Sequence, residues 1–185
     1  MVLVDSAHGE QFLRFPESIR NAQRPLWQQQ KAMLTGIRSL LDSGTLDPAV
    51  IPVPPQLPPG AAERLRALMA TKEATDTMLA ELETVEQIHA EEREAGISSL
   101  GDLPLVAITH GVAPPPFPPE LGITDEDMRA YESTWRELQG ELAALSSRGR
   151  LVVAENAGHM VHHERPDVVV DAIRDVVEGV RSSTR

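Results

Sequence analysis

The side chains best placed for chemistry lie between Leu151 and Pro166. An apolar run, Leu151 to Ala154, breaks at Ala157-Gly158, presents His159, and gives way to a helix opening at Pro166, since proline is well tolerated at a first helical position. That layout holds an imidazole at the carboxyl end of a strand, where open α/β sheets carry their chemistry. A histidine so held can work as a general base at neutral pH. A base needs a nucleophile, and the sequence has neither a cysteine nor a G-x-S-x-G motif. The plainer reading of His159, taken alone, is a loop histidine that satisfies backbone carbonyls. His162 and His163 lie past the turn and read as packing or surface residues. Together with His159 and Glu164 they look like a ligand cluster, but the spacing is not H-E-x-x-H and no second Cys or His group completes it. Neither a metal nor a cofactor is expected.

The elements that must position His159 follow from patterning. Val2 to Val4 is a β-branched apolar run suited to a strand buried on both faces of a parallel sheet. A second strand is expected at Leu103 to Thr109 and a third at Leu151 to Ala154. From Ser18 to Leu41 the pattern is helical, with Ile19, Leu26, Met33, Ile37, Leu40 and Leu41 as core contacts and Pro25 dividing it into two helices. Six prolines between Pro48 and Gly60 predict an extended connector. Helices are expected at Ala61 to Ala70 and at Lys72 to Glu94, the second ended by Gly96. Thr124 is a good N-cap, with Asp125, Glu126 and Asp127 set against the helix dipole. That helix carries Met128, Tyr131, Trp135, Leu138, Leu142 and Leu145 as a core stripe. The last helix, from Pro166, is expected to bury Val169, Ile173, Val176, Val177 and Val180.

Composition narrows the function classes. The 185 residues carry a formal net charge of −11, which argues against nucleic-acid or anionic-membrane partners, since both select for Lys and Arg patches. No run approaches the ~18 apolar residues of a membrane span. Met1 to Asp5 has neither a basic region nor a cleavage site, so it does not read as a signal peptide. A cytoplasmic location is the expectation. The long helical stretch between the first two strands is too large for a simple crossover and reads as an insertion over one end of the sheet.

Three places, in order, resemble the C-terminal half of an α/β-hydrolase. Val2-Leu3-Val4-Asp5-Ser6-Ala7-His8 resembles the sixth sheet strand and its exit, where a cap commonly inserts. Leu103 to Gly111 resembles the seventh strand and its following glycine, and Ala157-Gly158-His159 with Glu164-Arg165-Pro166 resembles the histidine loop and the start of the final helix. The resemblance implies an α/β fold class, a partial α/β-hydrolase fold of three parallel strands with flanking helices and an inserted helical cap. Its parts would be residues 1–9 (first strand and exit), 10–100 (cap with Pro-rich linker) and 101–185 (strand-helix-strand-helix).

The same resemblance assigns His159 as the base of a nucleophile-His-acid triad, with Gly158 letting the backbone turn and aim the ring. Many members place the acid after the seventh strand, but here that loop has no carboxylate before Glu120. Others take it from the end of the sixth strand, the place of Asp5. The bland alternative is that Asp5 caps the following turn. The implied activity is carboxylic ester hydrolysis on a small-molecule, ester-like substrate, with Phe12, Phe15 and Trp27 as possible pocket walls. The nucleophile, a serine or in some members an aspartate, precedes the sixth strand in this fold, as does the oxyanion hole. The expectation is therefore a fragment whose partner is a missing N-terminal half, inactive when purified alone. The competing expectation is a non-catalytic remnant or binding module that reuses the cap and half core.

Overall fold

A computed structural model describes residues 1–53 and 57–183. Three strands, β1 (Val2–Val4), β2 (Leu105–His110) and β3 (Gly149–Ala154), form one parallel sheet in the order β1-β2-β3. Val4 lies opposite Ile108, and His110 opposite Ala154, so all three carboxyl ends emerge on one side. β2 is buried along its whole length, through the apolar run Leu105 to Ile108 and on to the polar Thr109 and His110. Pro104 stays just outside the ladder, where its missing N–H costs nothing.

Helices α1 (Gln11–Arg14), α2 (Glu17–Ser43), α3 (Pro59–Met69) and α4 (Lys72–Ala95) lie between β1 and β2. Helix α5 (Asp125–Ala144) crosses from β2 to β3, and α6 (Val161–Glu164) and α7 (Pro166–Ser183) follow β3. The chain divides into two compact units. The sheet unit comprises Met1–Ala22 and His89–Arg185, and the helical unit is Gln23–Ile88. The stretch expected as a cap at residues 10–100 thus contributes to both.

In the sheet unit, Val106, Ile108, Ala154, Ala157, Val161 and Ala172 form one core, with Val2, Val4, Val168, Val169 and Val176 packed against it. A second cluster joins Phe15, Ile19, Trp135 and Leu138 with Phe12, Met128 and Tyr131. Helix α5 is started by a capping box in which Thr124 and Asp127 exchange side-chain and backbone bonds. In the helical unit Leu34, Ile51, Ala62 and Thr75 are buried. Among the described residues no helix is long and apolar enough to cross a membrane.

Four expectations change. Pro25 does not divide α2, which runs through it unbroken. The carbonyl that proline leaves without a partner belongs to exposed Asn21, so water can satisfy it. Leu26, Met33 and Leu40 are exposed because the inward face of α2 is set by Ile19, Ala22 and Leu34. On α7 the sheet takes only Val168, Val169, Ala172 and Val176, which leaves Ile173, Val177 and Val180 outside on a helix apolar over more than one face. The connector is not wholly extended either, since Asp47 caps a 3-10 turn at Pro48–Val50; Pro54 and Pro55 lie outside the described residues. Gly96, at φ 58°, ends α4 as expected.

The start of β3 touches the end of α5 so closely that a Cβ on Gly149 would sit on the Ala143 carbonyl oxygen. Gly149→Ala should therefore cost about 2–3 kcal/mol through a forced backbone shift. Chemical denaturation followed by circular dichroism measures it, and an unchanged midpoint would contradict this packing.

Candidate active site

The three strand exits converge on one carboxylate. Asp5 follows β1 directly, its N–H donating to the Ile108 carbonyl at 2.7 Å and its backbone in the left-handed region at φ 44°. That conformation, which Asp tolerates better than most residues, turns the side chain inward beneath the ends of β2 and β3. There it is 2% exposed and accepts a ring of hydrogen bonds. Oδ2 faces His159 Nδ1 at 2.8 Å and His110 Nδ1 at 2.9 Å. Oδ1 accepts from Trp135 Nε1 at 2.9 Å, from the His110 backbone N–H at 3.1 Å and from Thr109 Oγ1 at 3.3 Å.

These donors decide the charge of the group. Burial pushes the Asp5 carboxyl up, but the bonds from His110, His159 and Trp135 outweigh it and hold the group well below the usual carboxylate range. Such bonds to a charged acceptor contribute about 1.5–3 kcal/mol each, against a desolvation cost of several kcal/mol. His159 and His110 are both raised above their ordinary value, chiefly by the hydrogen bond to Asp5 and against the opposing effect of burial. For His159 the neighbouring His110 also works in the lowering direction.

The structure brings His159 and Asp5 together, and the loop that does so is braced from α6. Glu164 accepts the Gly158 N–H at 2.9 Å, and Arg165 donates to the Glu155 carbonyl at 2.7 Å while pairing with Asp167. The Ala157 carbonyl takes the N–H groups of both Gly111 and Val112, tying the β2 exit to the β3 exit. The tight turn expected of Gly158 is made by Asn156 instead, at φ 63°. A side chain on Gly158 would meet Glu164 only at ordinary van der Waals distance, so its lack of a Cβ is not needed there. Gly111 is the glycine that is required, because its Cβ would lie 2.8 Å from the Ala154 carbonyl oxygen.

The His159 ring is edge-on to Trp135 with centroids 6.5 Å apart, and its side chain is 70% exposed. With Nδ1 engaged by Asp5, Nε2 faces the open side. Asp5, His110, Val112, Pro114, Tyr131, Trp135 and His159 line a cleft of about 160 Å³. Burial pushes the Tyr131 hydroxyl up to about 12, so it remains a neutral phenol there.

Other candidates lie elsewhere. His162 and His163 are exposed on α6 with their rings packed on each other at 4.2 Å. Phe12 packs against His89, and Phe15 against Tyr131 and Trp135. Trp27 belongs to the helical unit. Asp125 and Asp127 sit at the start of α5, as their positions suggest. Two participants went unread in the sequence. His110 had one usable signal, its place between a buried strand and a glycine. Glu132, which meets His110 Nε2 at 3.1 Å from α5, had none.

Two outcomes follow from this geometry. Asp5 is depressed, so its contribution to stability is present above the ordinary 3.8 and is lost as pH falls through its lowered value. His110 is raised, so its contribution is complete below 6.5 and is lost as pH rises through its raised value. His159 acts in the same sense, more weakly because its exposed ring is screened. Thermal stability should be highest between about pH 4 and 6.5 and should decline on the alkaline side, and His110→Asn should flatten that decline. Melting curves across this range test both, and an alkaline limb as steep in the variant as in the parent would refute the assignment. Gly111→Ala should also lower the melting temperature by several degrees and release the β2 exit, whereas Gly158→Ala should change it little. Equal effects from the two substitutions would contradict the loop geometry.

Over 77 residues, 42% of the chain, the sequence is 30% identical to the uncharacterized protein YqjL of Bacillus subtilis (strain 168). The aligned region spans 26% of that protein's length. No solved structure matches the chain. The family model described as "Alpha/beta hydrolase family" matches residues 6–172, nearly the whole sequence. The chain belongs to the α/β hydrolase family.

Proposed function

We propose that Asp5 and His159 are the acid and base of a hydrolase site that cleaves small carboxylic esters. The observation that carries this reading is the 2.8 Å contact between His159 Nδ1 and the buried Asp5 carboxylate, made by a ring whose other nitrogen is open to the cleft. Asp5 accepts a hydrogen bond from Nδ1–H and so fixes the tautomer that leaves Nε2 with a lone pair. Nε2 then takes the proton of an attacking hydroxyl. The imidazolium that forms is stabilised by Asp5 and returns the proton to the departing alkoxide. A second cycle on water releases the acid. The cleft is small and has apolar walls in Val112, Pro114 and Trp135, which suits a short acyl or alkoxy group. Ester hydrolysis is chosen among reactions of this fold by analogy.

The sequence contains no G-x-S-x-G. We therefore place the nucleophile, a serine, and the oxyanion donors in polypeptide outside these 185 residues, either continuous with them or on a partner chain. In the same reading the helical unit Gln23–Ile88 belongs to the inserted cap.

The test is hydrolysis of p-nitrophenyl acetate and butyrate. The 185-residue chain alone should show only background turnover. The protein extended by any in-frame upstream coding sequence, or joined to a co-purifying partner, should turn over. In that active form His159→Ala and Asp5→Asn should each lower kcat by about 10³-fold or more. Turnover by the isolated chain that His159→Ala abolishes would overturn the placement of the nucleophile. An active form indifferent to both substitutions would overturn the role of the pair. An extended protein without turnover that still binds ester-like ligands would favour the binding-module alternative.

A further inference from the structure

His110 is the group in the cleft that the acid–base reading leaves without a task. It is nearly buried, with a side chain 6% exposed, and it lies between two carboxylates. Nδ1 sits 2.9 and 3.1 Å from the two Asp5 oxygens, and Nε2 sits 3.1 and 3.3 Å from those of Glu132. A neutral imidazole carries one proton, so one of its nitrogens would turn a lone pair toward a carboxylate. Only the imidazolium donates on both sides. The ring also stacks on Trp135, with centroids 6.1 Å apart and planes 24° apart, which gives it little freedom to turn away.

That cation shares an oxygen with the candidate base. Asp5 Oδ2 is within 3 Å of Nδ1 on both His110 and His159. The other titratable groups facing them are Glu132 and Tyr131, both from α5. The loop after β2 contributes only Val112 and Pro114. A carboxylate serving His159 alone favours its protonated form. A fixed positive charge on the far side of the same carboxylate opposes this.

Building on the Asp5–His159 reading above, we propose that His110 is a positioning residue that stays cationic through neutral pH, held so between Asp5 and Glu132, and that its charge offsets part of the pull of Asp5 on His159 and so leaves more of that imidazole free to act as a base. His110 touches Asp5 and Glu132 and acts on the reaction through Asp5. Its backbone N–H and ring together also hold the carboxylate in one orientation.

The experiment is a histidine side-chain 1H–15N NMR titration of the 185-residue chain without substrate, from about pH 5 to 10. Six histidines are few enough to resolve, and His159→Gln and His110→Asn assign the two rings. In the parent protein His110 should show both ring nitrogens protonated at neutral pH, while His159 titrates at a lower midpoint. In His110→Asn, which keeps a donor toward Asp5 without the charge, the His159 midpoint should rise by about one pH unit. In Glu132→Gln, a change of nearly equal shape at a side chain 20% exposed and expected to fold even where His110→Asn does not, the His110 midpoint should fall and that of His159 should rise by a smaller amount. A neutral His110 at pH 7 in the parent, or a His159 midpoint unmoved in the variants, would overturn the proposal. The titration needs neither nucleophile nor turnover. A failed ester assay would thus count against the hydrolase reading and leave this result standing.

Discussion

One ionised carboxylate, sealed from water, organises the sheet unit. Asp5 is acceptable there only because the ends of two strands and one helix send donors to it: the Thr109 hydroxyl and His110 from β2, His159 from beyond β3, and Trp135 from α5. Remove the donors and the charge becomes untenable. Remove the charge and two histidines and an indole N–H lose their common acceptor. The groups must be arranged as a set, which is the general condition for a polar network inside a protein.

Backbone geometry makes that set possible. Two non-glycine residues, Asp5 and Asn156, adopt left-handed conformations at the exits of β1 and β3. Between them Gly111 allows the β2 exit to pass against Ala154. The Ala157 carbonyl then ties the two loops together through a pair of N–H groups. Strain of this kind gathers where side chains must be aimed rather than merely packed. Glu164 and Arg165 hold the far end of the loop in place, which gives the Glu-Arg-Pro sequence at the start of the last helix a mechanical meaning.

Much of this was legible in the sequence because its signals are local. A β-branched run, a turn and a Pro-started helix fixed the place of His159. The carboxylate-free loop after β2 directed attention to Asp5. His110 and Glu132 escaped because their meaning arises only in three dimensions: one reads as the end of a strand, the other as a polar residue on a helix. Trp135 falls on the core stripe of its helix, and nothing in the sequence marks its indole N–H for a partner 130 residues away. The same limit explains the helix faces. Helices α2 and α7 carry apolar residues on more than one side, and periodicity cannot say which side meets a neighbour. Pro25 misled for the opposite reason, as a strong local rule that exposed backbone can set aside.

The sequence separations within the site carry a kinetic consequence. Asp5 meets His110 across 105 residues and His159 across 154, whereas β2 and β3 pair through a single helix. Closing long loops has an entropic cost that only later contacts offset, and topologies rich in such contacts assemble slowly. Strands β2 and β3 with α5 are therefore the parts expected to form first, with β1 docking afterwards. Until it docks, the two histidines lack the hydrogen bonds to Asp5 that hold them charged. A three-residue strand thus brings the anion that sets the protonation of the whole site.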